Sequence, residues 1–164
     1  MALRVALGRA KPWGLGYQLV LKCKLGFLGA LKNLSLPFNN FIGSLRESLS
    51  KMVSLETLDV SSNNLSGVLS NCSMLESLDL SFNYLTGTIP SRLESLSQLR
   101  DLIAWLNQLY GEIPQELMYL RRLENLILDF NDLNGSIPAS LSNCTNLNWI
   151  SLSNNQFSGQ ILLF

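Results

Sequence analysis

The chain has 164 residues, 47% of them hydrophobic, with 12 basic against 12 acidic side chains and a mean hydropathy of +0.20, which fits one globular module with no bulk field for nucleic acid or an anionic membrane. It contains no His, so the commonest metal ligand, the usual general base and the ordinary Ser or Cys triad are all missing. Cys23, Cys72 and Cys144 show no C-x-x-C spacing, so neither a zinc site nor a complete disulfide framework is indicated, and no apolar run is long enough to span a bilayer. Neither a catalytic group, a metal nor a cofactor is expected.

Residues 1–26 fit no periodic pattern and are expected to form an irregular N-terminal segment, with Pro12, Gly14 and Gly16 favouring loop. Arg4, Arg9 and Lys11 interrupt this stretch, leaving no continuous apolar core for a secretory signal. From residue 27 a repeat engages. Asn39, Asn63, Asn83, Asn107, Asn131 and Asn155 are separated by 24, 20, 24, 24 and 24 residues, and Gly43, Gly67, Gly87, Gly111, Gly135 and Gly159 step identically. Two residue types keeping one period define about six units over residues 27–164, with the step from Asn63 to Asn83 shortened.

Within each unit the alternation Leu-x-Leu predicts a strand of about three to four residues with both Leu pointing inward. Stacked units would make a parallel sheet lining a concave face. The following Asn is expected to satisfy backbone groups where the chain turns inward, and stacking would make the six amides a ladder. Gly permits the next reversal, and Ile-Pro fixes an extended start to the return segment. Ser91–Ser97 and Gln115–Leu120 then predict short helical or 3₁₀ turns on the convex side. The missing four residues before Asn83 correspond to the Ile-Pro step of the second unit, so a reduced return segment is expected between Val68 and Met74. Both ends of the array lack a recognisable cap, which predicts poor solubility of the isolated chain.

The concave sheet is expected to present Asp59, Ser61, Asp79, Ser81, Asp101, Ile103, Trp105, Ile127, Asp129 and Trp149 outward. Asp59 and Asp79 fall in adjacent units, but nothing supplies the cleft and third polar partner that acid–base chemistry needs, and a structural role is the expectation. Asp101, Ile103, Trp105, Ile127, Asp129 and Trp149 combine aromatic anchors with flanking charge and suit a protein or peptide interface. Phe38, Phe82 and Phe130 precede the ladder Asn in three units and are expected to stack along the sheet edge. Sequons at Asn33, Asn64, Asn71, Asn134 and Asn143 are candidate glycosylation sites, with Asn64 and Asn143 favoured because they lie off the ladder. Cys72 and Cys144 share the context Leu-Ser-Asn-Cys and suggest a small buried residue on the convex side.

A period of 24 with the unit L-x-x-L-x-L-x-x-N-x-L-x-G-x-I-P resembles the plant type of leucine-rich repeat, which implies an α/β solenoid coiled as a right-handed superhelix. The segments Leu80–Pro90, Gly111–Leu120, Glu124–Leu133 and Leu141–Ile150 resemble the ectodomain of brassinosteroid receptor kinases. That resemblance implies a receptor whose repeats face the extracellular side of the plasma membrane, with a steroid site built around an island inserted between repeats and a cytoplasmic kinase. No island interrupts the spacing here, and no signal peptide, membrane helix or kinase motif is present in the sequence, so no hormone-contact residue carries over. The expected function is a non-catalytic interaction module, with a protein or peptide on the concave face and other receptor repeats or a co-receptor as partners. The alternative is a truncated, decoy-like receptor or a gene-model fragment without independent function.

Overall fold

The computed structural model describes residues 29–43, 52, 54–67 and 74–160. Within them the Leu-x-Leu motifs form β1 (Asn33–Ser35), β3 (Thr57–Asp59), β5 (Ser77–Asp79), β7 (Asp101–Ile103), β9 (Asn125–Ile127) and β11 (Trp149–Ser151). These join in chain order into one parallel sheet of six strands. Each is three residues long; the middle Leu of the first five is turned inward, with Leu58, Leu102 and Leu126 fully buried, while Ile150 of β11 is 40% exposed. Leu34, Leu78 and their neighbours Leu36, Leu80 and Leu128 continue the same core from repeat to repeat. The registers Leu34↔Leu58, Leu58↔Leu78, Leu78↔Leu102 and Leu102↔Leu126 hold equivalent residues side by side, including across the shortened step.

A second parallel sheet, unexpected from the sequence, runs beside the first. Its strands are β2 (Ile42–Gly43), β4 (Asn64–Gly67), β6 (Tyr84–Gly87), β8 (Gln108–Gly111), β10 (Asp132–Gly135) and β12 (Gln156–Phe157). The x-L-x-G segment read as a reversal is therefore a strand of its own, with Leu65, Leu85, Leu109 and Leu133 turned into the core. Glycine ends it: Gly43, Gly87, Gly111 and Gly135 adopt φ between +76° and +102°, where a side chain is strained.

Pro90, Pro114 and Pro138 then sit extended at ψ 135°, 135° and 127° and start 3₁₀ turns at Ser91–Ser95, Gln115–Tyr119 and Ala139–Asn143. Three residues per turn stacks every third side chain on one face. Leu93, Leu96 and Leu99, then Leu117, Leu120 and Leu123, are accordingly fully buried, and Cys144 takes the Leu slot of the next unit at 4% exposure. Strands stack at about 4.8 Å, whereas packed helical turns need about 8–10 Å. The strand side is therefore the inner, concave side of the coil. The reduced return segment expected between Val68 and Met74 lies outside the described residues except for Met74, as do Cys23, Cys72, Asn71 and residues 1–26.

Candidate functional site: the concave sheet and its rims

The rows that face outward on the concave sheet are held by a polar spine beneath one edge. Asn131 donates from Nδ2 to the carbonyls of Ala104 (3.0 Å), Leu128 (3.0 Å) and Asp129 (3.2 Å), and its Oδ1 accepts from the Leu109 N–H at 3.0 Å. One amide thus binds its own turn, the turn before and the second sheet of the preceding repeat. Asn63, Asn83, Asn107 and Asn155 repeat the arrangement, reaching the carbonyls of Leu36, Val60, Leu80 and Leu128 and accepting from the N–H groups of Phe41, Leu65, Leu85 and Leu133. Among the described residues Asn39 donates to Leu36 and Pro37 of its own turn.

The residue before each ladder Asn is left-handed. Phe38, Ser62, Phe82, Leu106, Phe130 and Asn154 have φ between 52° and 55°. Such a conformation disfavours any residue with a Cβ, and its recurrence at six equivalent places shows that the turn is built around it. The consequence for the aromatics is outward projection: Phe38, Phe82 and Phe130 are all exposed rather than stacked on one another. Phe82 instead meets Trp105 of the next repeat, ring edge to face, with centroids 4.3 Å apart and planes at 72°.

Trp105 is therefore half-buried on the rim and not a free anchor at the centre of the face. Trp149 is 61% exposed and belongs to a different row, in register with Asn125. It stands two strands and four residues from Trp105, about 10 Å across the sheet and about 13 Å along it. Between them lie Ile103 and Ile127, direct register partners and both partly exposed. The fold thus brings Ile103 and Ile127 together, sets Trp149 beside Ile127's strand, and places Trp105 against Phe82.

The carboxylates divide by what they already bind. Asp59 Oδ1 accepts from the Ser61 N–H (3.1 Å) and Oγ (2.7 Å), and Asp79 Oδ1 accepts from the Ser81 N–H (2.9 Å) and Oγ (2.6 Å). Ser61 and Ser81, expected to face outward, are instead buried because they are folded back onto these carboxylates. Asp129 reaches into the next repeat, accepting from Ser151 Oγ (2.7 Å) and the Ser153 N–H (2.9 Å). Asp101 accepts from Asn125 Nδ2 at 2.6 Å. Each fastens a turn or strand chiefly through Oδ1; Asp59 Oδ2 also takes a long bond from Ser35 Oγ, 3.3 Å. Asp59 and Asp79 are register partners on adjacent strands, and Asp79 is also partnered with Ile103.

Along the rim before the strands, Lys32 pairs with Glu56 at 2.5 Å and Arg100 with Glu124 at 2.6 Å. The hydrogen bond to Glu56 and its charge hold the Lys32 ammonium above its ordinary pKa. Among the described residues no group of three His, Cys, Asp or Glu side chains converges on a metal position, and no helix is long and apolar enough to cross a membrane. Asn33, Asn64, Asn134 and Asn143 are exposed, the first on the concave sheet, the next two on the second sheet and the last on the convex turn.

The sequence pattern of the Leucine Rich Repeat family matches residues 54–73, 74–96, 122–144 and 146–164, just over half of the chain. The chain belongs to the leucine-rich-repeat family. Its coil is similar to that of a TDR receptor, at 34% identity and TM-score 0.80 over 83% of this chain and 24% of that one. It is similar also to the leucine-rich-repeat ectodomain of the Arabidopsis receptor kinase HAESA, solved with an IDA peptide hormone ligand, at 32% identity and TM-score 0.78 over 84% of this chain and 24% of that one. A structure of the BIR3–SERK2 complex from Arabidopsis thaliana aligns at 38% identity and TM-score 0.70, over 79% of this chain and 70% of that one. No curated protein matches the sequence. The chain spans about a quarter of the TDR receptor and HAESA chains. The repeat array is a non-catalytic module of the kind found in plant receptor kinase ectodomains.

Proposed function

We propose that this chain is a polypeptide-binding stretch of a plant receptor-like ectodomain, working on the extracellular side of the plasma membrane. The observation that carries the proposal is the solvent-facing apolar patch on the concave sheet, where Ile103, Ile127 and the 61%-exposed Trp149 stand on consecutive strands. Side chains of this kind are carried into solvent by a sheet that packs its other face into the core, so their exposure is not needed for folding. Solved structures of similar coils hold a peptide hormone, in HAESA, or belong to a complex of two proteins, in BIR3–SERK2. That precedent favours a peptide or a co-receptor over a small molecule.

The finer assignment, to the brassinosteroid receptor kinases, rests on segments such as Leu80–Pro90 and Leu141–Ile150. Within it this stretch serves the protein contacts and not the steroid site, because Asn83, Asn107, Asn131 and Asn155 keep an unbroken 24-residue spacing with no room for an island. Glycans on Asn33, Asn64, Asn134 and Asn143 would mark the first strand, the second sheet and the convex turn, and would leave Ile103, Ile127 and Trp149 uncovered.

A display library of random dodecapeptides, panned against the chain, tests this. The proposal expects enriched peptides whose binding is lost with Ile103→Ser, Ile127→Ser and Trp149→Ala together. No enrichment above an unrelated repeat protein, or equal binding to the triple variant, would overturn it.

A further inference from the structure

The concave row that contains Ile103 and Ile127 changes character abruptly, and the change specifies what lies on it. In register order across β1, β3, β5, β7, β9 and β11 it reads Ser35, Asp59, Asp79, Ile103, Ile127, Ser151. Two carboxylates on adjacent strands are followed without a gap by two isoleucines. In the neighbouring row Asp101 lies beside the junction and Trp149 lies at the apolar end.

Asp59 and Asp79 sit on strands about 4.8 Å apart. Like charges side by side on a sheet oppose each other. Their serine partners occupy Oδ1 in both cases, while Oδ2 of Asp79 takes no hydrogen bond among the described residues and Oδ2 of Asp59 takes only a long one from Ser35, 3.3 Å. The two cationic side chains described on the adjoining rim, Lys32 and Arg100, are paired with Glu56 and Glu124 instead. The face therefore presents uncompensated negative charge directly against an exposed apolar patch.

On the reading that this sheet binds a polypeptide, we infer that its ligand is an extended peptide carrying one cationic side chain and, three or four residues away, one large apolar side chain. The cation bridges Asp59 and Asp79, and the apolar side chain covers Ile103 and Ile127. The midpoints of the two pairs are two strand spacings apart, about 10 Å, which an extended chain in the polyproline II form covers in one turn of three residues at about 3.1 Å each, with both side chains on the same side. An Arg suits the bridging place best, since a planar guanidinium can donate to two carboxylates at once. Trp149 then bounds the apolar end.

The test uses the enriched dodecapeptides and two conservative variants of the full chain. Asp59→Asn with Asp79→Asn keeps the Oδ1 acceptors for Ser61 and Ser81 and removes only the charge. Ile103→Ser with Ile127→Ser removes only apolar surface. The inference expects enriched peptides to share an Arg or Lys three or four positions from a Leu, Phe, Trp or Tyr, with affinity falling steeply between 50 mM and 500 mM salt. The Asn variant should weaken them about tenfold, as expected for a lost charge-assisted bond, and flatten the salt dependence. Circular dichroism and melting of both variants should match the parent chain. Peptides that bind the parent chain but lack the cation, or bind the Asn variant equally well, would overturn this inference while leaving the polypeptide reading intact. Failure to enrich any peptide overturns both.

Discussion

Replacing Asn131 by Ala removes one buried, four-bonded member of the ladder that has described repeats on both sides. Two amide protons shared among the carbonyls of Ala104, Leu128 and Asp129 are lost, and the Leu109 N–H, which donates to Oδ1 at 3.0 Å, is left without a partner. Each lost bond contributes about 1 kcal/mol net, and a stranded buried donor costs about 1–3 kcal/mol, so the substitution should destabilise by about 3–5 kcal/mol. Asn39 offers the internal comparison. Among the described residues its Nδ2 bonds to Leu36 and Pro37 of its own turn, and losing these in Asn39→Ala should cost about 1–2 kcal/mol. The assay is urea unfolding followed by far-ultraviolet circular dichroism, with the two midpoints compared at a common slope. Equal losses for the two variants would refute the claim that the amide's value lies in bridging repeats and not in closing its own turn.

Gly135→Ala should destabilise by about 1–2 kcal/mol, because φ is +76° and the new Cβ would lie 2.7 Å from Glu112 Cγ; the same unfolding assay measures it, and removing the Glu112 side chain should relieve the contact part but not the backbone part. Leu126→Ala, at a fully buried position with neighbours on both sides, should cost about 2–5 kcal/mol, whereas Trp149→Ala, 61% exposed, should change stability by less than about 0.5 kcal/mol. The Cys144 thiol is pushed above its ordinary pKa by burial. Its folded form therefore favours the protonated state, and stability should fall as pH rises above about 8.5, the ordinary thiol value, towards the folded pKa; alkylation of Cys144 should accordingly be slow in the native chain and fast in urea.

The repeat itself was legible because two residue types, Asn and Gly, keep one spacing, and that spacing places the Leu residues of the inner sheet and the 3₁₀ turns at Ser91–Ser95 and Gln115–Tyr119. The left-handed turn before each ladder Asn was not legible. Phe38, Ser62, Phe82, Leu106, Phe130 and Asn154 are of four residue types, and only Asn154 belongs to a type that tolerates that conformation well. The stacked hydrogen bonds of the Asn, not any preference of the preceding residue, impose it. The second sheet escaped notice for a related reason: x-L-x-G is as short as a turn, and only lateral pairing of equivalent segments makes it a strand. On the concave face, alternation placed Ile103, Ile127 and Trp149 outward, as the structure has them. The same alternation failed at Ser61 and Ser81, because it stops where the strand stops and a carboxylate two residues earlier captures the serine. Trp105 is partly exposed like Ile103 and Ile127, and alternation gives no sign of its contact with Phe82 of the previous repeat.

The central claim is that the concave row around Ile103 and Ile127 is the contact surface. It is tested most directly by methyl NMR of the Ile-labelled chain titrated with an enriched peptide. The account predicts shifts of the Ile103 and Ile127 δ1 methyls, with the buried Ile89 and Ile113 methyls unmoved. Shifts that spare Ile103 and Ile127 while a peptide is demonstrably bound would contradict it.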